Sequence, residues 1–524
     1  MKNVQRTLVL GCSLLALAGC GADQIVSPGT SGDIIINNPP APAPSPTPSP
    51  TPKPTQTLVT PAAGCPTIGT PAGLTDAGTI TGPTGTWRVC RLPATFTAND
   101  TLRYVPGLLY EIRDRVNVGT DRGFASTGTT VTLTIEPGVI LYASGASFLV
   151  ANRGNRLVAD GTAQRPIIWT SRDNILGLAN DNSDAQWGGV VLLGRAPVSD
   201  CNLTLVFNTT ANPNANPQCE AQLEGTAVTT PYGGANSADN SGSMRFNQIR
   251  FSGFELEQGN ELQSLTTGGT GSGTILENIF SFNSSDDGVE FFGGTVNIRN
   301  LAVIGASDDS IDTDFGAQNF VDTALVVQRE STGDNVIELD SPDGPRTPIN
   351  AIPQTRMFVN NFTFIQRSRE STSVIRARGA GALSLTNGVI DARNVCYRID
   401  EAPTLAALIR IDAVVGACSR SNRPTQGSQG VTDQQVLDRV NAGTRNNLAF
   451  TITLTNNVVN GTGEAGVQAV NANPISSFFP TRTFVGAIEN AAALTSLFGS
   501  WTCNSATQNF NSPLGACTSL PVYR

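Results

Sequence analysis

Short apolar runs, each about the length of a β-strand, dominate the chain from about residue 62 onward and are separated by Gly, Asn, Asp and Ser. The clearest runs are Val131–Ile135, Phe148–Val150, Arg156–Val158, Pro166–Trp169 and Gly189–Leu193. Apolar runs of this length, bounded by turn residues, are typical of strands, whereas the helical period is almost absent. The pattern therefore predicts an all-β fold, either a sandwich or a solenoid.

An internal repeat favours the solenoid. Ser285–Val289 recurs 22 residues later as Ser307–Ile311. The same spacing aligns Leu276 with Ile298, Asn278 with Asn300 and Phe280 with Ala302, and one coil further it places Asn300 on Asp322 and Val303 on Leu325. A fixed period of this size is the signature of a stacked repeat architecture. A 22-residue unit with three short strands predicts one coil of a parallel β-helix, in which the side-chain amides of Asn278 and Asn300 stack as a ladder.

The predicted architecture is an all-β parallel β-helix with a cap at each end. Less regular segments at 62–125 and 475–524 are expected to be the N- and C-terminal caps, because the ends of a solenoid need protection from edge pairing. Residues 126–474 are then the β-helix itself. A folded region of roughly 460 residues at this period makes about 15 to 18 coils, and a rod about 80 Å long.

The N-terminus has the form of a lipoprotein signal. A positively charged start, the apolar run Leu8–Leu17 and small residues before Cys20 make residues 1–19 a signal peptide, which is too short to span a bilayer. Cys20 would become the acylated mature N-terminus and hold the protein at a membrane surface. By analogy with Gram-negative lipoproteins, Gly21 after the cysteine favours the outer membrane. An ordinary secretory peptide cut elsewhere is the alternative.

Residues 20–61 are predicted to be the lipid anchor followed by a proline-rich tether. Sequence such as Pro39–Pro54 takes an extended polyproline II conformation of about 3.1 Å per residue, so the tether would hold the folded part roughly 60 Å from the anchor. A proline-rich ligand for a partner domain is the alternative interpretation.

Composition excludes several classes of chemistry. The formal net charge is −9, and loss of Lys2 and Arg6 with the signal peptide makes it more negative, which argues against nucleic acid as a partner. The chain has no histidine, and no lysine follows Lys53. Ser-His-Asp, Cys-His and lysine-based catalysis are thereby excluded from the folded region. Any catalysis would depend on Asp, Glu, Arg, Tyr or a bound metal.

Eight cysteines remain after Cys12 leaves with the signal and Cys20 takes lipid. An even count in an exported chain predicts disulfides. Sequential pairing is favoured because each loop is short: Cys65 with Cys90, Cys201 with Cys219, Cys396 with Cys418, and Cys503 with Cys517. Each bridge would stabilise the fold by about 3 kcal/mol.

Several motifs are similar to those of a known family. They are Ile135–Val139, Trp187–Gly194, Tyr232–Gly234, Asp239–Gly242, Asn260–Glu261, Leu265–Thr274 and Asp286–Gly294. Together they resemble a widespread family of bacterial exported lipoproteins. The resemblance covers residues 130–330 strongly and the C-terminal part weakly. It implies a right-handed parallel β-helix on the outer surface of a Gram-negative envelope, and it brings no established activity.

A cluster of acidic residues is the one candidate for a metal-binding or catalytic site. Its members are Asp286, Asp287 and Glu290 on one coil, and Asp308, Asp309, Asp312 and Asp314 on the next. Stacking in register would place these carboxylates about 5 Å apart, where they repel one another. Calcium, which takes about six to eight oxygen ligands, would relieve the repulsion, and so would a raised carboxyl pKa. The alternative is that the aspartates only shape turns and face water.

Three functions remain open. The first is a non-enzymatic outer-membrane scaffold or adhesin that presents a lateral face to a polysaccharide, a surface protein or another cell. The second is a polysaccharide lyase or hydrolase, with Asp286, Asp287, Asp308 and Asp309 as candidate catalytic carboxylates and Arg299 or Arg329 as the candidate lyase base. The third is an accessory to an outer-membrane transport or secretion system.

Overall fold

The computed structural model describes residues 58–125, 128–224, 226, 228–257, 260–341, 347–407, 409–418 and 423–523. The predicted signal peptide, the predicted lipidation site Cys20 and nearly all of the predicted tether lie outside these residues. Within the described ranges, none of the helices has the length and apolar character needed to cross a membrane.

The described part of the chain contains thirty short strands. In order they are β1 Thr75–Gly82, β2 Gly85–Arg91, β3 Thr95–Phe96, β4 Asp100–Leu102, β5 Leu108–Glu111, β6 Arg115–Val118, β7 Thr132–Ile135, β8 Ile140–Ala143, β9 Phe148–Ala151, β10 Arg156–Asp160, β11 Ile167–Ser171, β12 Val190–Leu193, β13 Ala221–Gln222, β14 Pro231–Tyr232 and β15 Gly242–Arg250. The second half comprises β16 Glu255–Glu257, β17 Asn260–Glu261, β18 Leu265–Gly268, β19 Ile275–Phe282, β20 Val289–Phe292, β21 Asn297–Ile304, β22 Ile311–Asp314, β23 Gln318–Val327, β24 Ile337–Leu339, β25 Arg356–Ile365, β26 Ser373–Ala377, β27 Ala382–Asp391, β28 Val395–Asp400, β29 Ile409–Gly416 and β30 Thr425–Ser428.

The helices are short and lie outside the main sheets. They are α1 Arg172–Leu176, α2 Ala402–Ala406, α3 Asp433–Asn441, α4 Thr462–Ala465 and α5 Ala491–Leu494, and α5 continues into a π-helical turn at Thr495–Gly499.

Two long sheets carry the architecture. Sheet A runs β1-β2-β5-β8-β11-β15-β19-β21-β23-β25-β27-β29, with β4, β7 and β10 joined to it through β15, and sheet B runs β3-β6-β9-β12-β18-β20-β22-β24-β26-β28-β30. Apart from the antiparallel pair β1–β2, the strands within both sheets pair in parallel. Because neighbours within a sheet are one coil apart in sequence, the predicted parallel β-helix is confirmed.

The 22-residue register is confirmed for one coil and shifts by one residue in the next. Leu276 pairs with Ile298, Phe280 with Ala302 and Val289 with Ile311. In the following coil Arg299 pairs with Asp322 and Val303 with Val326, so Asn300 falls on Thr323. The expected pairing of Asn300 with Asp322 and of Val303 with Leu325 was wrong, because Ile298 follows Phe292 by six residues, whereas its partner Val321 follows Asp314, the partner of Phe292, by seven.

Sheet B has 11 strands in the described residues, fewer than the 15 to 18 coils expected from a uniform repeat. Val190 pairs directly with Leu265, so a single coil contains the whole segment between them. Long insertions of this kind leave fewer residues for regular coils.

In two adjacent coils, the long strand of sheet A bends at an asparagine whose backbone is in the left-handed region. Asn278 has φ 57° and Asn300 has φ 53°, and the Nδ2 of Asn300 donates to the Oδ1 of Asn278 over 2.9 Å. Asparagine tolerates this backbone region better than most residues. The predicted asparagine ladder is therefore confirmed, and Asn361 and Asn387 adopt the same conformation in later coils.

Replacing Asn300 by alanine is expected to destabilise the protein by about 2 kcal/mol, because alanine loses the ladder hydrogen bond and is strained in the left-handed region. Asn300→Gly is the matched control, since glycine adopts this region freely and loses only the hydrogen bond. Urea unfolding of both variants measures the difference. Equal losses in the two variants would contradict a role for the backbone conformation.

The C-terminal segment, residues 447–523, runs back along the outer face of sheet A, and we call it the strap. The residues it covers are apolar: Phe280, Phe282, Ala302, Ile304, Leu325, Val327 and Ile365 pack with Ile488, Phe498, Trp501 and Phe510. Near the other end of the sheet, the ring of Tyr523 lies 6.1 Å from that of Tyr104. The segment 475–524, expected to be a terminal cap, thus lies along the side, because an apolar outer face must be covered.

A buried arginine holds the strap in place. Arg250 is fully buried, and its Nη1 donates to the backbone oxygens of Cys517 and Ser519 at 2.8 and 2.9 Å. Burial lowers the pKa of Arg250 to about 10. Its positive charge is met by carbonyl oxygens of the strap.

The two ends of the coil differ in structure. At the C-terminal end Val436 and Val440 of α3 join the main core. At the N-terminal end parallel pairing already begins with β2 and β5, inside the segment 62–125 that the sequence assigned to a cap.

Four disulfides join Cys65–Cys90, Cys201–Cys219, Cys396–Cys418 and Cys503–Cys517, which is the sequential pairing that the short spacings predict.

Candidate functional site

The acidic residues lie where successive turns enter sheet B. Asp287 precedes β20, Asp309 precedes β22 and Asp334 precedes β24. The side chain of each residue helps to hold the next coil: the Oδ1 of Asp287 accepts from the backbone N–H of Asp309 over 2.9 Å, and the Oδ1 of Asp309 accepts from that of Asn335 over 2.5 Å. Parallel stacking thus places a column of carboxylates along one edge of the solenoid.

Three overlapping groups of carboxylates result. Within each group one oxygen of every residue lies within 4.8 Å of the others. The groups are Asp286 with Asp287 and Asp308, Asp287 with Glu290 and Asp312, and Asp308 with Asp309 and Asp334. We call them the three acidic triads. Because Asp287 and Asp308 each belong to two triads, the triads form one continuous row across three coils.

On the outer face of sheet B, acidic side chains continue the row, and basic side chains follow them in later strands. Glu290 pairs in register with Asp312, and Asp312 with Glu338. Arg376 occupies the next position, where it contacts Glu338 at 3.1 Å and Asp400 at 2.9 Å. Positive charge therefore begins beyond the triads: Arg376 forms a salt bridge with Glu338, whereas in the described part of the chain no arginine does so with Glu290.

Burial makes the carboxylates of the triads costly to ionise. Removal from water, followed by repulsion from neighbouring carboxylates, raises the pKa values of Asp287, Glu290 and Asp309 well above the usual range. The same two causes raise the pKa of Asp334. Among the described residues, no arginine forms a salt bridge with Asp287, Glu290 or Asp309. A proton or a cation would remove this electrostatic cost.

One buried atom in the row has no hydrogen-bond partner. Glu290 is 5% exposed, and its Oε2 finds no donor among the described residues. A buried carboxylate oxygen left in this way is uncommon in native proteins and is consistent with a missing ligand. Hard cations such as calcium take carboxylate oxygens as ligands. The second triad, which contains Glu290, is the strongest candidate cation site.

The structure brings together six of the seven predicted ligands in the triads, and places the seventh beside them. Asp286, Asp287, Glu290, Asp308, Asp309 and Asp312 belong to triads. Asp314 lies two residues further along β22 and outside the triads. Burial raises the pKa of Tyr232 well above its usual range, and repulsion from Asp200, Glu290, Glu224 and Asp314 raises it further.

Sequence reasoning missed Asp334. Asp334-Asn335 occupies in its coil the place of Asp308-Asp309, but it follows 26 residues later, so a fixed 22-residue period does not find it. A search for an acidic residue before each sheet-B strand would have found it.

The two arginines predicted as lyase bases do not belong to the triads, and each contacts another part of the protein. Arg299 is on β21 of sheet A, where its guanidinium stacks 4.1 Å from the ring centroid of Phe478 and donates to the Phe478 carbonyl over 2.6 Å. Arg329 is buried and donates to the Oδ2 of Asp184 over 2.5 Å. Both guanidiniums are held by the protein itself.

Comparison with known proteins gives one match. A family model described as a pectate-lyase like beta helix domain matches residues 120–469, which is more than half of the chain. No curated protein and no solved structure matches the chain.

Proposed function

Because the chain belongs to the family of pectate-lyase-like β-helix domains, we propose that it is a non-enzymatic protein of the outer membrane that binds acidic polysaccharide through divalent cations. The cations, calcium in the first place, would be held by the three acidic triads. The polymer would lie along the edge of the solenoid where the turns enter sheet B.

The observation that supports this proposal is the continuous row of carboxylates. Buried Asp287, Glu290 and Asp309 would provide ligands from within, whereas Asp308 at the junction of two triads is exposed. A cation bound between buried and exposed carboxylates keeps coordination positions open toward solvent. Carboxylates of a uronate polymer could fill those positions, so that the cations bridge two acidic partners.

Two features favour binding over catalysis. The candidate bases Arg299 and Arg329 are committed to contacts with Phe478 and Asp184, and Arg299 lies on the other sheet. Oxygens within each triad lie within 4.8 Å, which is closer than the about 6.5–9.5 Å of an inverting hydrolase and suits a shared cation. The spacing argues against the inverting type alone, since the two carboxyl groups of a retaining hydrolase are about 5–5.5 Å apart.

A pull-down assay tests the binding proposal. The Cys20→Ser chain is incubated with immobilised polygalacturonate and with alginate, in calcium and in EDTA. We expect retention in calcium only, and none for Asp287→Asn/Asp309→Asn. Unsaturated or reducing ends are measured in the supernatant. Release of such ends would establish the lyase or hydrolase alternative, and failure to bind either polymer in calcium would overturn the proposal.

The proposed location in the outer membrane is based on the predicted lipoprotein signal at the N-terminus. Acyl chains on Cys20 would anchor the protein and the proline-rich tether would hold the solenoid away from the membrane. Cell fractionation of wild type and Cys20→Ser tests this. We expect the wild type in the outer membrane and the variant in the soluble fraction. Outer-membrane association of the variant would contradict a lipid anchor.

A further inference from the structure

We propose that a polar cavity beside the acidic triads binds a neutral sugar residue. This inference rests on the proposed polysaccharide function and specifies its ligand as a heteropolysaccharide, in which a neutral sugar stands next to an acidic one. The cavity lies between the turn after β23 and the strap.

Three separate parts of the chain build the cavity, whose volume is about 470 Å³. They are a loop at 181–182, the turn at 328–331 with Arg367, and the strap at 506–507. The backbone N–H of Ala506 donates to the Oδ2 of Asp181 over 3.0 Å, which joins the strap to the loop. Ligand pockets in proteins have about 300–1,000 Å³, so this cavity has room for a sugar ring with its hydroxyls.

The lining is suited to hydroxyl groups. Six of its side chains are planar polar groups, each with two or more hydrogen-bonding atoms: Asp181, Asn182, Gln328, Arg329, Glu330 and Arg367. Some of their atoms already bond within the protein, since both terminal nitrogens of Arg329 donate to other residues and the Nε2 of Gln328 donates to the Asp334 carbonyl, so a sugar would use the remaining atoms. Two arginines and two carboxylates balance each other in formal charge. A neutral ligand with both donors and acceptors therefore fits this lining best.

Two buried atoms of the lining lack partners. The Oε1 of Gln328 and the Nε–H of Arg329 make no hydrogen bond among the described residues, although these residues are only 1% and 5% exposed. One is an acceptor and the other is a donor. A buried polar atom without a partner needs an explanation. Both atoms are covered in this structure, so a bound hydroxyl would satisfy them after a small rotation of the Gln328 or Arg329 side chain toward the cavity.

The cavity adjoins the acidic row. Arg329 donates to the Oγ of Ser307 over 2.6 Å, and Ser307 directly precedes Asp308, which belongs to two triads. A polymer that placed a carboxylate on a cation near Asp308 would bring its neighbouring residue toward the cavity. The two sites together would select a chain that combines acidic and neutral sugars.

Saturation-transfer NMR tests the cavity without the cation site. The Cys20→Ser chain is mixed in EDTA with glucose, galactose, mannose or rhamnose, one at a time. We expect at least one sugar to show saturation transfer with a millimolar Kd, and Ala506→Trp to abolish the signal by filling the cavity. Ala492→Trp, an exposed position elsewhere on the strap, is the matched control and is expected to retain the signal.

The outcomes separate this proposal from the preceding one. A signal that survives both EDTA and Asp287→Asn/Asp309→Asn supports the cavity even if the triads bind no cation. Absence of saturation transfer for all four sugars would overturn the proposal, and so would a signal of equal strength in Ala506→Trp.

Discussion

In EDTA at neutral pH, the variant Asp287→Asn/Asp309→Asn is expected to have a higher Tm than the wild type, whereas added calcium is expected to raise the Tm of the wild type alone. Both aspartates are buried beside other carboxylates, and their raised pKa values reflect the cost of ionising them there. Asparagine removes the charge and keeps an oxygen that can accept from the N–H of the next coil. It therefore relieves the repulsion and destroys the cation site at once.

Calcium should have a large effect on the wild type. At a calcium concentration 100 times the Kd, each occupied site adds about 2.7 kcal/mol to the free energy of unfolding. Isothermal titration calorimetry is expected to show calcium binding to the wild type, with an affinity reduced at least about 100-fold in the double variant, since even residues behind metal ligands can contribute 10- to 100-fold.

The stability of the metal-free wild type is expected to depend on pH. The carboxyls of Asp287, Glu290 and Asp309 have raised pKa values in the folded state, so between the ordinary value of about 4 and the raised value the folded chain holds more protons than the unfolded chain. The stability of the metal-free wild type is therefore expected to fall as pH rises above about 4, and calcium should restore it.

A matched control changes two carboxylates elsewhere. Asp438→Asn/Glu489→Gln removes the same charge at exposed positions and should change neither the Tm in EDTA nor the response to calcium. If calcium raised the Tm of Asp287→Asn/Asp309→Asn as much as that of the wild type, the triads would not be the cation site.

Replacing Trp501 by alanine is expected to reduce the free energy of unfolding by about 3–5 kcal/mol. Trp501 is 1% exposed, and its ring lies 6.0 Å from those of Phe246 of sheet A and Phe498 of the strap. Its removal leaves a cavity between the strap and the sheet. Chemical denaturation measures the loss, and limited proteolysis at Arg482 reports whether the strap opens.

The control for this variant is Leu178→Ala, at a position 66% exposed, which should change stability by less than about 0.5 kcal/mol. A similarly small loss for Trp501→Ala would indicate that the strap lies on the sheet without stabilising it. Unfolding in two steps, with the strap released first, would still agree with the structure, because long stacked arrays do not always unfold cooperatively.

Local patterns in the sequence predicted much of this molecule. The 22-residue repeat gave the correct pairing of Leu276 with Ile298 and of Val289 with Ile311, and short cysteine spacings gave the four disulfides. The asparagine ladder followed from the same repeat. In a solenoid neighbouring strands are one coil apart, so a period in the sequence translates directly into contacts.

Other features depended on the tertiary structure. Asp334 joins the acidic row although its coil is longer than the repeat, and one extra residue between Asp314 and the partner of Ile298 places Asn300 opposite Thr323. Such insertions change register without leaving a periodic signal.

The sequence by itself determined the all-β coil, its asparagine corners, its disulfides and six of the carboxylates that meet in the triads, because each depends on residues one coil apart. Only the tertiary structure decided the path of the strap, the burial of Glu290 and the cavity at Gln328. These depend on contacts between residues far apart in the chain, such as Tyr104 with Tyr523 and Asp181 with Ala506. No local period encodes such contacts; they form because the apolar face of sheet A must be covered.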